Sequence, residues 1–160
     1  MKSLPVPAAY RGVTPYLIVR GAAKAIEFYT QAFGAKETMR LEGAEGKLGH
    51  AEMQLGGGAF MLADENPAMG FLSPESLGGS GVSMMFYVDD VDAQVATAVS
   101  AGAKLMRPVQ DQFYGDRSGL LTDPFGHVWT IATHIEDVSH EEMLRRCAEM
   151  MKQMSGEGAK

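Results

Sequence analysis

Apolar and polar residues alternate with a period of two in several short runs of this chain, which predicts β-strands. The alternation is clearest in residues 47–55, where a strand places two sets of side chains on opposite faces: Ala51, Met53 and Leu55 on one, and His50, Glu52 and Gln54 on the other. Residues 22–33 instead carry apolar side chains at helical spacing, and Gly34 supplies a helix stop. With further strands predicted at residues 14–20, 36–42 and 59–63, the first half has the order β-α-β-β-β.

The second half of the chain repeats this order. A predicted strand at residues 82–88 leads into Asp89-Asp90, whose carboxylates are typical helix N-caps, and Gly102 ends the helix that follows. A strand at residues 104–109 precedes a β-hairpin around the turn Asp123-Pro124-Phe125-Gly126. The pattern therefore predicts a second β-α-β-β-β unit.

A short sequence motif supports the interpretation of the two halves as a repeat. The triplet Gly34-Ala35-Lys36 recurs as Gly102-Ala103-Lys104 at the matching point of the second half. Beyond the repeat, Ser139 and Glu142 have the spacing of a capping box, and a helical stripe of methionines and Cys147 follows. The predicted divisions are an N-terminal arm (1–12), a first module (13–64), a linker loop (65–81), a second module (82–134), and a C-terminal helix and tail (135–160).

Composition narrows the class of protein. The chain has 160 residues, of which 46% are hydrophobic, and a net charge of −6, which argues against a nucleic-acid partner or an anionic membrane surface. No apolar run reaches the roughly 20 residues that a membrane span needs, and residues 1–11 do not have the pattern of a secretory signal. Cys147 is the single cysteine, so we expect no internal disulfide and a cytoplasmic location.

The repeated modules and their short sequence motifs resemble those of the vicinal oxygen chelate superfamily. This superfamily includes glyoxalase I, extradiol dioxygenases, fosfomycin-resistance thiol transferases and bleomycin-resistance proteins. The resemblance covers residues 12–134 and rests on the two modules, the repeated Gly-Ala-Lys triplet and the hairpin Asp123-Pro124-Phe125-Gly126-His127-Val128-Trp129. Two further motifs are similar to those of its glyoxalase/bleomycin-resistance-like branch. They are Ala25-Ile26-Glu27-Phe28-Tyr29 and Tyr114-Gly115-Asp116-Arg117-Ser118-Gly119.

This resemblance implies an α+β fold in which two βαβββ modules form a curled mixed sheet around a cleft, with an additional C-terminal helix. Many members of the superfamily are homodimers, and in some of them the modules pair across chains. The linker at residues 65–81 is long enough for either arrangement.

The resemblance also identifies four positions where metal enzymes of the superfamily hold their ion. These positions lie on the first and last strand of each module and are occupied here by Thr14, Met61, Ser83 and Thr130. A catalytic divalent ion needs imidazole or carboxylate ligands, which these residues lack. We therefore predict no metal and no cofactor there, and the resemblance leaves open whether the protein is an enzyme.

His50 and Glu52 share one face of a strand and are the main polar candidates for a site. If that face lines the cleft, Glu52 is a general base or binds a cationic group, with His50 tuning its pKa. If the face contacts bulk water, the two residues are the solvated side of an antiparallel sheet. A metal held by His50 and Glu52, with His127 or His134 from the neighbouring module, is a further alternative.

Asp116 and Arg117 are adjacent, so on a strand they point to opposite faces. One of them then enters the cleft while the other pairs at its rim; a structural salt bridge is the alternative. Tyr114 offers a ring on which a flat or cationic ligand stacks, or it belongs to the rim of the core.

The expected lining of the cleft is apolar. Tyr16 and Tyr87 share strand parity with Thr14 and Ser83, and the resemblance places them on the cleft face. Met61, Met85 and Thr130 join them there. Methionines give a deformable lining that suits a bulky organic ligand, although ordinary core packing explains the same residues.

The leading hypothesis is a homodimer that binds a small organic ligand in a metal-free cleft and sequesters a drug or toxic metabolite. The alternative is a metal-dependent lyase, isomerase or dioxygenase of the same superfamily, with a rearranged site at His50 and Glu52. A third hypothesis is a regulatory subunit whose methionine-rich C-terminal helix is the working surface.

Overall fold

The computed structural model describes residues 5–8 and 10–157, which form two four-stranded mixed sheets with helices on one side of each. The strands are β1 (Tyr16–Val19), β2 (Lys36–Glu42), β3 (Leu48–Leu55), β4 (Gly58–Asp64), β5 (Ser83–Tyr87), β6 (Lys104–Asp111), β7 (Asp116–Thr122) and β8 (Val128–His134). The helices are α1 (Ala22–Phe33), α2 (Pro74–Leu77), α3 (Val91–Ser100) and α4 (His140–Glu157). The α+β fold with two βαβββ modules and a C-terminal helix is therefore confirmed.

The two sheets have the same topology. Their strand orders are β1-β4-β3-β2 and β5-β8-β7-β6. In each sheet the first strand runs parallel to the last, and the other pairs are antiparallel. Tyr16 lies opposite Met61 in the first sheet, and Met85 lies opposite Thr130 in the second. The internal repeat seen in the sequence is thus a repeat of the structure.

The core lies between the sheets and the helices, and α1 and α3 pack against each other within it. Helix α1 begins after Gly21 and ends at Gly34, both in the left-handed conformation that glycine adopts without strain. Trp129 is 3% exposed, and its ring centroid lies 4.9 Å from that of Phe33 on α1. Trp129 therefore packs under α1.

The two helices receive their N-terminal caps in different ways. Asp90 caps α3 locally, because its carboxylate accepts a hydrogen bond from the backbone N–H of Ala93 at 3.0 Å. Helix α1 has no such cap from Gly21. Instead Asp64, at the end of β4, accepts hydrogen bonds from the N–H groups of Gly21 and Ala22 at 2.7 and 3.0 Å. The sheet of the first module therefore supplies the cap of its own helix.

Asp123, in the β7–β8 turn, connects the two modules. Its buried carboxylate accepts hydrogen bonds from the Tyr29 hydroxyl of α1 at 2.7 Å and from the Trp129 indole N–H at 2.8 Å. The backbone N–H groups of Phe125 and His127 donate to its other oxygen. Burial, together with this carboxylate, raises the pKa of Tyr29 well above its usual range. The turn thus fixes α1 against the second sheet.

The segment between the modules has more regular structure than the sequence indicates. It contains a 3₁₀ turn at Pro67–Met69 and the single helical turn α2, which Ser73 caps. The carboxylate of Glu65 accepts hydrogen bonds from Ser76, Arg20 and Ser73, and these bonds lower the pKa of Glu65 to about 2. Proline at the first helical position and this distant carboxylate explain why the glycine- and proline-rich segment is ordered.

Helix α4 begins as the capping pattern predicts, since the Ser139 hydroxyl accepts a hydrogen bond from the Glu142 N–H at 3.3 Å. Arg146 pairs with Glu136 and so attaches the first part of the helix to the end of the second module. The methionines of its far end are exposed, Met154 by 68%. Within the described residues, no helix is long and apolar enough to span a membrane.

Candidate functional site

Each sheet packs one face against the helices and turns the other face outward. The outward faces are named here the first open face (Tyr16, Met39, His50, Glu52 and Met61) and the second open face (Met85, Tyr87, Asp116, Ser118, Leu120 and Thr130). Strand register defines both sets, because directly paired residues share a face. Their neighbours in sequence, such as Met53 and Leu121, are fully buried under the helices.

The first open face brings Tyr16, His50 and Glu52 together. The Tyr16 hydroxyl lies 2.7 Å from His50 Nδ1, and His50 Nε2 lies 3.3 Å from Glu52 Oε1. The sequence placed His50 and Glu52 on one face of a strand and left open whether that face is the one that Tyr16 shares. The structure joins all three in a single chain of hydrogen bonds. Met61 lies beside them, directly opposite both Tyr16 and Glu52 in the ladder.

Sequence reasoning missed a fourth member of this group, Tyr10. Its hydroxyl donates a hydrogen bond to the second oxygen of Glu52. That bond, followed by the one from His50, lowers the pKa of Glu52, and the same contact raises the pKa of Tyr10. Tyr10 lies in the irregular N-terminal arm, where no periodicity predicts the direction of a side chain. Glu52 is therefore an ionised acceptor with both oxygens engaged.

The second open face holds a different polar group around Asp116. The buried carboxylate of Asp116 accepts a hydrogen bond from the Tyr87 hydroxyl at 2.7 Å and lies 2.8 Å from His134 Nδ1. The other ring nitrogen of His134 lies 2.9 Å from Asp137. Hydrogen bonds to Asp116 and then to Asp137 raise the pKa of His134, and the bond to Asp116 raises that of Tyr87. His134 is therefore held between two carboxylates.

His134 was absent from the predicted ligand-binding set. Equal steps outward from the predicted turn Asp123–Gly126 would place Asp116 opposite Thr133, but the turn is closed by Asp123 and His127, and equal steps from that pair place Asp116 opposite His134. Their pairing follows from this register.

Two predicted site residues, Arg117 and Tyr114, lie outside these two hydrogen-bonded groups. Arg117 points to the opposite face from Asp116, where it pairs with Asp92 of α3 at 2.7 Å and with Asp111 at 2.8 Å. The structure thus does not bring Arg117 together with the other predicted residues. Tyr114 lies in the β6–β7 loop, with its ring centroid 5.2 Å from that of Phe113.

Met85 and Tyr87 also line a cavity of about 1000 Å³ beside the N-terminal end of β1. Thr14 and Ser83 are in its wall, together with the core aromatic residue Trp129. Tyr16 and Met61 are not part of this wall. The predicted lining residues are therefore divided between two faces that belong to different sheets.

A protein-family model, described as Glyoxalase/Bleomycin resistance protein/Dioxygenase superfamily, matches residues 12–131. This chain belongs to that superfamily. An uncharacterised protein of Mycobacterium bovis is 41% identical to this superfamily member over 134 residues, which cover 82% of this chain and 88% of the relative. The fold and the resemblance found in the sequence are both confirmed.

Solved structures of other proteins have the same fold as this superfamily member. A gene product of Arabidopsis thaliana is 31% identical, with a TM-score of 0.61 over 77% of this chain and 98% of that one. TioX from Micromonospora sp. ML1 has a TM-score of 0.60 at 24% identity, over 80% of this chain and 99% of that one. At that identity the likeness to TioX concerns the fold alone.

The resemblance assigns the metal positions of the superfamily to Thr14, Met61, Ser83 and Thr130. Three of these side chains carry a hydroxyl and one a thioether, and none offers an imidazole or a carboxylate. Among the residues that the structure describes, no group of three or more His, Cys, Asp or Glu side chains is arranged to hold a metal ion. The residues at the superfamily positions therefore do not fit a catalytic divalent ion.

Proposed function

We propose that this superfamily member binds and sequesters a small organic molecule, such as a drug or toxic metabolite, without a catalytic metal. The observation that carries the proposal is the exposure of large side chains on both open faces. Tyr16 and Met85 are each 47% exposed and Tyr87 is 57% exposed; the Tyr16 hydroxyl contacts the His50 imidazole, and the Tyr87 hydroxyl contacts the Asp116 carboxylate. Apolar surface beside a few fixed polar groups is what a small-molecule site requires.

The proposed cleft forms between two copies of the chain. Within one chain, the α1–α3 contact and the Asp123 hydrogen bonds use the helix-side faces of the sheets. The open faces remain outward, and neither can enclose a ligand alone. A homodimer in which the first open face of one protomer meets the second open face of its partner gives the ligand two walls.

The chemistry of the walls favours a ligand with an apolar body and a hydrogen-bond donor or positive charge. Glu52 and Asp116 supply one carboxylate to each wall, and carboxylates accept hydrogen bonds or pair with cations. Met61 and Met85 supply flexible, polarisable contacts that adapt to a bulky body. A cytoplasmic location is part of the proposal and is supported by the single cysteine, which cannot form an intrachain disulfide.

The test combines oligomeric state with ligand-induced stabilisation. Purified protein is measured by light scattering and by thermal shift against antibiotics, methylglyoxal–thiol adducts and aromatic diols. Met85→Glu places a charge on the second open face, and Val99→Glu places one on the exposed side of α3, where Val99 is 42% exposed. We expect a dimer with a stabilising ligand, both lost in Met85→Glu and both kept in Val99→Glu. A Met85→Glu protein that dimerises and binds like the original contradicts the proposed cleft.

The metal-dependent alternative has its own test, because His50 and Glu52 do lie together. Elemental analysis of purified protein is expected to show no stoichiometric transition metal. A stoichiometric metal that is lost in His50→Ala and kept in His140→Ala would replace the metal-free proposal.

A further inference from the structure

The first open face carries a hydrogen-bonded row of three residues, Tyr16, His50 and Glu52. We infer that Tyr16 is a nucleophile toward electrophilic carbonyl compounds, with His50 as its base and Glu52 as the residue that positions His50. The hydroxyl of Tyr16 lies 2.7 Å from His50 Nδ1, and Glu52 lies on the far side of the ring at 3.3 Å. A nucleophile, a base within hydrogen-bond reach and a third group that orients the base are the parts of an activated nucleophile.

The direction of the hydrogen bonds follows from the charge of Glu52. Contacts with Tyr10 and His50 keep this carboxylate ionised at neutral pH, so it only accepts hydrogen bonds. His50 Nε2 therefore carries the proton that faces Glu52. In neutral imidazole this leaves a lone pair on Nδ1, which accepts the hydroxyl proton of Tyr16. The ring is held in the one tautomer that makes it a base toward Tyr16.

The proposed step balances without a further reactant. The Tyr16 oxygen attacks the carbonyl carbon of an ester while its proton passes to His50 Nδ1, and Glu52 stabilises the imidazolium that forms. The bond between the carbonyl carbon and the leaving oxygen then breaks when the ester is that of a phenol more acidic than tyrosine, and the leaving phenol takes that proton. The acyl group remains on Tyr16 as a phenyl ester.

The second module provides an internal comparison for this reactivity. The hydroxyl of Tyr87 donates to the carboxylate of Asp116 at 2.7 Å. The pKa of Tyr87 is raised by this contact and the pKa of Tyr16 is raised by burial, so the two tyrosines differ in the acceptor of the hydroxyl proton and not in the direction of the pKa shift. The acceptor for the Tyr87 hydroxyl is therefore a carboxylate oxygen of Asp116 and not an imidazole nitrogen. Tyr87 is 57% exposed and Tyr16 is 47% exposed, so access alone does not favour Tyr16.

The experiment treats the full-length protein with p-nitrophenyl acetate and follows p-nitrophenolate release, while peptide mass spectrometry locates the acetyl groups. We expect Tyr16 to be acetylated at least about tenfold faster than Tyr87 or Tyr114, the low end of what general-base assistance supplies. His50→Gln should remove that advantage, and His140→Gln, the same change far from Tyr16, should keep it. The rate at Tyr16 should fall at acid pH, as expected of a step that needs a general base.

The Glu52→Gln variant tests whether Glu52 positions the His50 ring or only stabilises the fold. Its amide can donate a hydrogen bond to Nε2, which permits the tautomer with the proton on Nδ1 and removes the base from Tyr16. We expect the acid-side fall in the Tyr16 rate to disappear while Tyr87 and Tyr114 react as before, which also shows that the protein is folded. Equal acetylation of Tyr16 and Tyr87 in the unmodified protein, or an unchanged Tyr16 rate in His50→Gln, overturns the inference. Neither result depends on the proposed dimer or its ligand.

Discussion

The two modules share element order, strand topology and register, yet the tyrosine hydroxyl on each open face has a different hydrogen-bond acceptor. In the first module Glu52 orients His50, whose free nitrogen accepts the Tyr16 hydroxyl. In the second module Asp116 is the acceptor for both Tyr87 and His134. The comparison teaches that the same scaffold gives a tyrosine facing a base on one sheet and a tyrosine held by a carboxylate on the other. Backbone topology determines where the two tyrosines lie. The residue that accepts the hydrogen bond from each tyrosine hydroxyl determines whether a base is available to it.

The turns between the last two strands of each module differ in a similar way. The first module turns through Gly56 and Gly57, which carry no side chain. The second module turns through Asp123, whose carboxylate receives hydrogen bonds from the opposite module and from its own hairpin. The second turn thus contributes to the contact between modules, whereas the first only reverses the chain.

The largest expected effect comes from removing the carboxylate of the second turn. Asp123→Ala leaves the buried Tyr29 hydroxyl and the Trp129 indole N–H without their acceptor. We expect the free energy of unfolding to fall by about 3–5 kcal/mol, the usual cost of deleting one partner from a buried charged network. Denaturant unfolding followed by Trp129 fluorescence measures the change.

Gly57→Ala at the corresponding turn is the matched control. Gly57 does not have a positive φ, and no atom lies within 4 Å of an added Cβ, so we expect little change in stability. If the two substitutions cost the same, Asp123 has no special part in joining the modules.

The two open faces should also differ in the pH range over which they stabilise the fold. The folded pKa of His134 lies above its ordinary value of 6.5, because Asp116 and Asp137 accept its hydrogen bonds. Its contribution is therefore full below pH 6.5 and is lost as the pH rises through the folded value. The folded pKa of Glu52 lies below its ordinary value of 4.5. Its contribution is present above pH 4.5 and is lost as the pH falls through the folded value.

Thermal melts of His134→Asn and Glu52→Gln between pH 3 and pH 9 separate the two contributions. The melting temperature of His134→Asn should lie below that of the original protein at pH 5–6 and approach it in alkali. That of Glu52→Gln should lie below it at neutral pH and approach it in acid. Both effects should be smaller than that of Asp123→Ala, because water reaches these side chains. Parallel pH curves for the two variants contradict the assignment of opposite charges to the two groups.

The sequence predicted those features of the fold that depend on neighbouring residues. The Asp90 cap, the Gly34 helix end and the alternation around His50 are local, so their patterns carry over directly into the structure. The cap that Asp64 provides for α1 joins residues 42 positions apart, and Glu65 orders the linker through Ser73 and Ser76. Such contacts depend on how elements pack, which periodicity does not specify.

The candidate site shows the same limit. Parity placed His50 and Glu52 on one face, and the resemblance placed Tyr16 on the cleft face, but the hydrogen bonds among them depend on the distance between β1 and β3, which β4 separates. Tyr10 contacts Glu52 from an irregular segment, where no sequence pattern predicts the direction of a side chain. The faces were assigned to one cleft by resemblance, and their meeting across two chains stays a prediction.

The smallest expected effect concerns Arg117, on the helix side of the second sheet. Its guanidinium pairs with Asp92 and Asp111, whose side chains are 56% and 66% exposed. Exposed ion pairs contribute little to stability, because water and salt screen them. We expect Arg117→Gln to lower the free energy of unfolding only slightly, with less effect at high salt, and to leave ligand-induced thermal shifts unchanged. Asp116→Asn, one residue away on the open face, should reduce those shifts. A loss of ligand response in Arg117→Gln equal to that in Asp116→Asn would mean that the β7 strand as a whole, rather than its open face, determines binding.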